Sequence, residues 1–160
     1  MFGYDAPNAG DNSPSYRYLE NLVRSAPPAK LRLLLIERGV GLCESIGARW
    51  RAEKPEIGGD EQTLHLRDIM TELLSGVGKS DIPVAIAVSD LYVFLSKHLT
   101  DAELMGDVTM VDEIGVVLQT EAETWRIVCE TMDAAKNASI PKPHVHSGEI
   151  DRTASFNFQG

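Results

Sequence analysis

Apolar side chains recur at intervals of three or four in the last long segment. Over about residues 108–132 these are Val111, Ile114, Leu118, Ala122, Trp125, Cys129 and Met132. That spacing marks one face of an α-helix; a half-buried strand would alternate every second residue. A helix with a single apolar stripe has to bury it against other elements. This is the strongest constraint on what the chain can fold into, because the rest of the sequence has to supply helical partners.

Three other segments do so. Residues 28–52 place Leu31, Leu35, Leu42, Ile46 and Trp50 on one stripe, with Gly39 in its gap. Glycine costs about 1 kcal/mol against alanine inside a helix, so Gly39 is expected to admit a close neighbour. Ser25 is a candidate cap ahead of Pro27-Pro28, and proline is tolerated in a first helical turn. Residues 61–75, after a loop at 56–60, turn Leu66, Ile69, Met70, Leu73 and Leu74 inward. Gly76-Val77-Gly78-Lys79-Ser80 breaks that helix. The next covers 82–99, starting behind Ser80 or Asp81, with Val84, Val88, Leu91, Leu95 and Leu99 on its stripe. Residues 101–107 form a link. A short helix is expected over 15–24. There is no internal repeat and there are no credible strand pairs. The expected fold is all-α, an antiparallel up-and-down four-helix bundle over 15–132. Residues 1–14 and 133–160, rich in Gly, Pro and polar residues, read as flexible tails.

Length and charge narrow the function. At 160 residues the chain suits one domain. Its longest apolar runs, Leu33–Ile36 and Val84–Val88, fall far short of the roughly 18 residues of a membrane span. Fifteen Lys and Arg against twenty-four Asp and Glu leave a net charge of −9. That balance repels nucleic-acid phosphates and anionic lipid. The charge is uneven: residues 101–130 carry eight acidic side chains and one basic, whereas residues 24–54 carry seven basic and three acidic. The acidic run either steers a basic partner or forms a solvated face. Cys43 and Cys129 lie on helical patterns and read as reduced, small apolar residues. No basic-then-apolar leader opens the sequence, and a reducing cytoplasmic setting fits both observations.

Catalytic patterns are weak. No histidine has the Glu-x-x-His spacing of bundle metal sites. His65 has Glu61 one turn before it, which reads as a surface contact. His144-x-His146 lacks further ligands at a metal-binding spacing. Gly76–Ser80 echoes the end of a phosphate loop, but the first glycine of that pattern is replaced by Leu73 and a helix precedes it. No nucleophile elbow occurs. No metal, cofactor or enzymatic activity is therefore expected. An alternative is a phosphotransfer bundle using His65, although Asp68 stands where a small residue is wanted. The more informative feature is Ile82, Ile86, Val93 and Phe94, which lie off the main stripe of their helix. A helix apolar on more than one side is either deeply buried or covers its spare face with something else.

Five segments in one order resemble the FliS family of flagellin-specific export chaperones. Tyr18, Val23, Ala26, Pro28 and Leu31 are similar in spacing to its opening segment. Leu31–Val40 resembles its leucine-rich helix, and Asp68–Leu73 the middle of its second long helix. Leu91-Tyr92-x-Phe94 matches a leucine-tyrosine-x-aromatic motif, and Val111–Trp125 its last helix. The sequence departs from the family where Ile36 replaces a usual aromatic and Glu37 a usual aspartate, and in a longer loop at 53–60 and a longer tail. The resemblance implies a non-enzymatic binding protein of the cytoplasm, monomer or homodimer. It implies an apolar groove for the C-terminal segment of flagellin and delivery to the flagellar export gate. Partner-binding residues are then expected at Tyr18, Val23, Ile86, Tyr92, Val93, Phe94, Val111, Ile114 and Leu118. Each also reads as plain core or, for Tyr18 and Val23, as a cap over the bundle end. A helical adaptor with another amphipathic client is a further alternative.

Overall fold

The computed structural model describes residues 17, 21, 24–55, 58–78 and 81–139. Among them are four helices: α1 (Pro28–Ala52), α2 (Glu61–Val77), α3 (Pro83–Met105) and α4 (Val108–Ala138). Each helix runs antiparallel to the one before it. Arg51, at the end of α1, pairs with Asp112 at the start of α4, while Glu37 in the first half of α1 pairs with Arg126 far along α4 at 2.8 Å. The expected four-helix bundle is the fold of the chain, with α1 and α4 sharing its most extensive interface.

Local chemistry sets the helix ends. Asp60 opens α2: its carboxylate accepts from the Gln62 and Thr63 amides, and the Thr63 hydroxyl accepts from the Asp60 amide. This reciprocal cap satisfies amides that have no partner inside the helix. Asp107 opens α4 by accepting from Thr109. The Thr109 hydroxyl and then its amide hold the Asp107 carboxyl below its ordinary range. Gly106 sits at φ 64° between α3 and α4, a left-handed turn that glycine adopts without steric cost.

The two proline-led helices differ from expectation. Pro27 and Ile82, not Ser25 and Ser80 or Asp81, precede α1 and α3, and neither supplies a side-chain cap. The Ser25 hydroxyl donates to the Asn21 carbonyl instead. Proline at the first helical position removes one of the amides a cap would serve. Two boundaries also move. α3 continues to Met105, so the link expected over 101–107 shrinks to Gly106 and Asp107, and α4 continues six residues past 132. Of the expected helix over 15–24, the described Arg17, Asn21 and Arg24 are helical. Residues 1–16 and 140–160, which include His144 and His146, lie outside the described residues.

The core runs along the bundle axis. Ile36, Ile46, Leu66, Met70, Tyr92, Leu95, Leu99, Val111, Ile114, Leu118 and Ala122 are fully buried. Gly39 does what its position suggests, since a Cβ there would stand 3.0 Å from Leu118 Cδ1. Gly115 lies as close against Cys43, where an added Cβ would be 3.2 Å from the Cys43 Cβ. Small residues on both helices bring α1 and α4 together. Among the described residues no helix is long and apolar enough to cross a membrane.

Candidate partner-binding cleft

The stripe of α3 fails at its beginning. Leu95 and Leu99 are buried as expected, but Leu91 and Val88 are only half-buried and Val84 is 68% exposed. The buried line of α3 instead follows Tyr92, Leu95, Leu99 and Ala102. Where α3 starts, α2 ends and α1 begins, the helices leave an apolar cleft of about 430 Å³. Leu31, Leu35, Leu73, Val77, Val84 and Val88 supply most of its walls, and Trp125 of α4 reaches its floor. Val84 is exposed at the edge of this gap.

A polar network crosses the floor. The Arg32 guanidinium lies 5.3 Å from the Tyr92 ring and 5.1 Å from the Trp125 ring. Its Nη2 donates to the Tyr92 hydroxyl at 2.9 Å and its Nη1 to the Leu73 carbonyl at 3.1 Å. The Tyr92 hydroxyl donates in turn to Glu121 at 2.5 Å. Burial, and then the carboxylate that accepts its proton, push the Tyr92 phenol well above its ordinary value. It stays a neutral donor at any physiological pH. These contacts tie all four helices together beneath the cleft.

The nine nominated residues separate into three groups. Tyr92, Val111, Ile114 and Leu118 are fully buried, so they form the bundle core and offer no surface to a partner. Their periodicity could not tell an inner stripe from a groove. Ile86, Val93 and Phe94 are exposed, at 48%, 40% and 56%. They do not share one face. Ile82, Ile86 and Val93 recur at four and seven residues along the outward side of α3. Phe94 is one residue on, about 100° round the helix, and stacks on His98, which reaches Glu113 of α4 at 2.7 Å. Tyr18 and Val23 lie outside the described residues. By their spacing alone the cleft residues of α1 and α2 read as core. Their signal was an apolar stripe on α1 wider than one face, with Leu31 and Leu35 beside the buried Leu33 and Ile36.

Elsewhere, His65 is exposed on α2 and joins none of the described ion pairs. No group of acidic, histidine or cysteine side chains that could hold a metal occurs among the described residues. Cys43 is buried and Cys129 half-buried, and both are free thiols. A second hollow, between α1 and α4, is lined by Val40, Cys43, Val116 and several polar residues.

The chain is thus an antiparallel four-helix bundle with an apolar cleft at one end and unburied apolar residues on the adjoining helix. The sequence profile of the family described as Flagellar protein FliS matches residues 11–132, and the chain belongs to that family of flagellar export chaperones. No curated protein sequence matches the chain significantly.

Proposed function

We propose that the chain binds the C-terminal segment of flagellin in the cytoplasm and holds it in the cleft at the start of α3. Holding the segment keeps flagellin from polymerising early and presents it to the flagellar export gate. The observation that carries this reading is the unburied apolar surface of the first turns of α3. Val84 and Val88 border the cleft, and Ile82 and Ile86 expose further apolar surface on the opposite, outward side of the same turns. A segment that folds on binding loses conformational freedom and needs several apolar anchors to offset that loss. An amphipathic helix meets such a groove with side chains three or four residues apart. Val93 extends the outward stripe by two turns, and Phe94 offers a second contact on the α4 side.

The test is calorimetric titration of the chain with the C-terminal flagellin segment, using wild type, Val84→Asp in the cleft, Ile86→Asp and Val93→Asp on the outward stripe and, as control, Leu64→Asp on the exposed side of α2. Circular dichroism first establishes that each variant is folded. The expected result is saturable one-to-one binding, weakened about tenfold or more by Val84→Asp, as loss of an apolar anchor of about 1.5–3 kcal/mol implies, and unchanged by Leu64→Asp. Wild-type protein that is folded yet fails to bind the segment would overturn the reading.

A further inference from the structure

The cleft is apolar apart from two charged residues, Arg32 at its floor and Glu72 on its rim. Apolar pockets commonly use a few placed polar groups to fix the orientation of what they hold. A guanidinium carries five N–H donors. Arg32 spends two of them, both on uncharged acceptors, the Leu73 carbonyl and the Tyr92 hydroxyl. Its Nε is buried without an acceptor. Glu72 forms no ion pair with it among the described residues. The nearest carboxylate in its network, Glu121, is one step removed through Tyr92.

Access to this cation depends on Gly76. That residue is exposed in the last turn of α2, and a Cβ built on it would stand 3.5 Å from Arg32 Nη1. Any longer side chain there would cover the guanidinium edge. Glycine leaves it open to the cleft, at the cost of helix propensity at an exposed position. Resting on the docking role proposed above, we infer that Arg32 determines the specificity of the cleft by receiving a carboxylate of the docked apolar segment through the gap at Gly76. Guanidinium and carboxylate match in shape and charge, and such charge-assisted bonds are stronger than neutral ones. The net charge of −9 opposes an anionic client overall, so the cleft selects for the position of that carboxylate rather than for negative charge as such.

The experiment titrates the full chain calorimetrically with the flagellin C-terminal segment in two forms. One is natural; the other has its Asp, Glu and terminal carboxyl groups converted to amides. Wild type, Arg32→Met and Gly76→Leu are compared. Wild type is expected to bind the natural form about tenfold or more tightly than the amide form, the range of a charge-assisted hydrogen bond, against the trend of overall repulsion. Arg32→Met should bind both forms alike. Gly76→Leu should lose the preference while unfolding at the same temperature as wild type or higher, which separates blocked access from misfolding. Equal binding of the two forms by wild type, or a preference that persists in a folded Arg32→Met or Gly76→Leu variant, would overturn the assignment and leave the docking role standing. Binding of neither form by wild type would overturn both.

Discussion

Cys43 shows what burial does to one residue. Its thiol is pushed up to about 12 by desolvation first, and then by the charges of Asp112 and Glu44. In the unfolded chain it titrates near its ordinary value of 9.0. Between those values the unfolded state has given up a proton that the native state keeps. The unfolded state therefore binds fewer protons, and stability falls as pH rises above about 9, by at most about 1.4 kcal/mol per pH unit. Thermal unfolding at pH 8 and pH 10 should show a larger loss of Tm for wild type than for Cys43→Ala. Parallel losses would show that another group governs the alkaline limit. The sequence placed Cys43 on a helix as a small apolar residue. Its neighbours Asp112 and Gly115 belong to α4, some seventy positions on, so the shift was invisible there.

At the scale of the helix, starts and stops were more legible where the signal was local. The Asp60–Thr63 reciprocal cap lies within four residues, and α2 begins behind it. Asp60 also pairs with Arg49 of α1. Asp60→Ala should cost about 1–2 kcal/mol in urea unfolding, the usual value of a lost cap with little added by a half-exposed pair. A cost well below that would mean that Thr63 and water replace it. The end of α3 escapes the sequence because its last turn, Asp101–Met105, buries only Ala102 and leaves its larger apolar side chains, Leu104 and Met105, exposed. A stripe that thins to one small residue leaves little periodicity to follow. α4 runs past 132 with every residue from Asp133 to Ala138 exposed, so no apolar pattern could mark its end.

Across the whole molecule the uneven charge becomes structural. Acidic residues of α3 and α4 meet basic residues of α1 and α2: Glu103 with Arg67, Asp112 with Arg51. Two of the eight acidic side chains of the 101–130 run thus pair with arginines of α1 and α2. The pairs differ in worth. Glu103 is only 11% exposed, and Arg67 also donates to the Ser96 carbonyl and the Thr100 hydroxyl. Arg51 and Asp112 are both about half exposed. Arg67→Ala, which strands a nearly buried carboxylate, should lose about 2 kcal/mol or more. Arg51→Ala should lose less than about 1 kcal/mol. Urea unfolding of both variants decides the order, and equal losses would show that solvent reaches the Arg67 pair as freely as the other.

The sequence by itself determined four helices, their order and their antiparallel bundle. Each depends on spacing along the chain and on short links, and a helix reports its period from within. It also flagged α3 as carrying more apolar surface than one interface can bury. Only the tertiary structure decided which of those residues the bundle consumes. Tyr92, Val111, Ile114 and Leu118 went to the core, while Val84 was left at an open cleft and Ile86, Val93 and Phe94 on two different faces. The physical reason is that burial belongs to pairs of helices. A side chain is inside only if another element arrives opposite it, and where α1, α2 and α3 meet, α4 reaches the floor of the cleft through Trp125 but leaves Val84 at its mouth exposed.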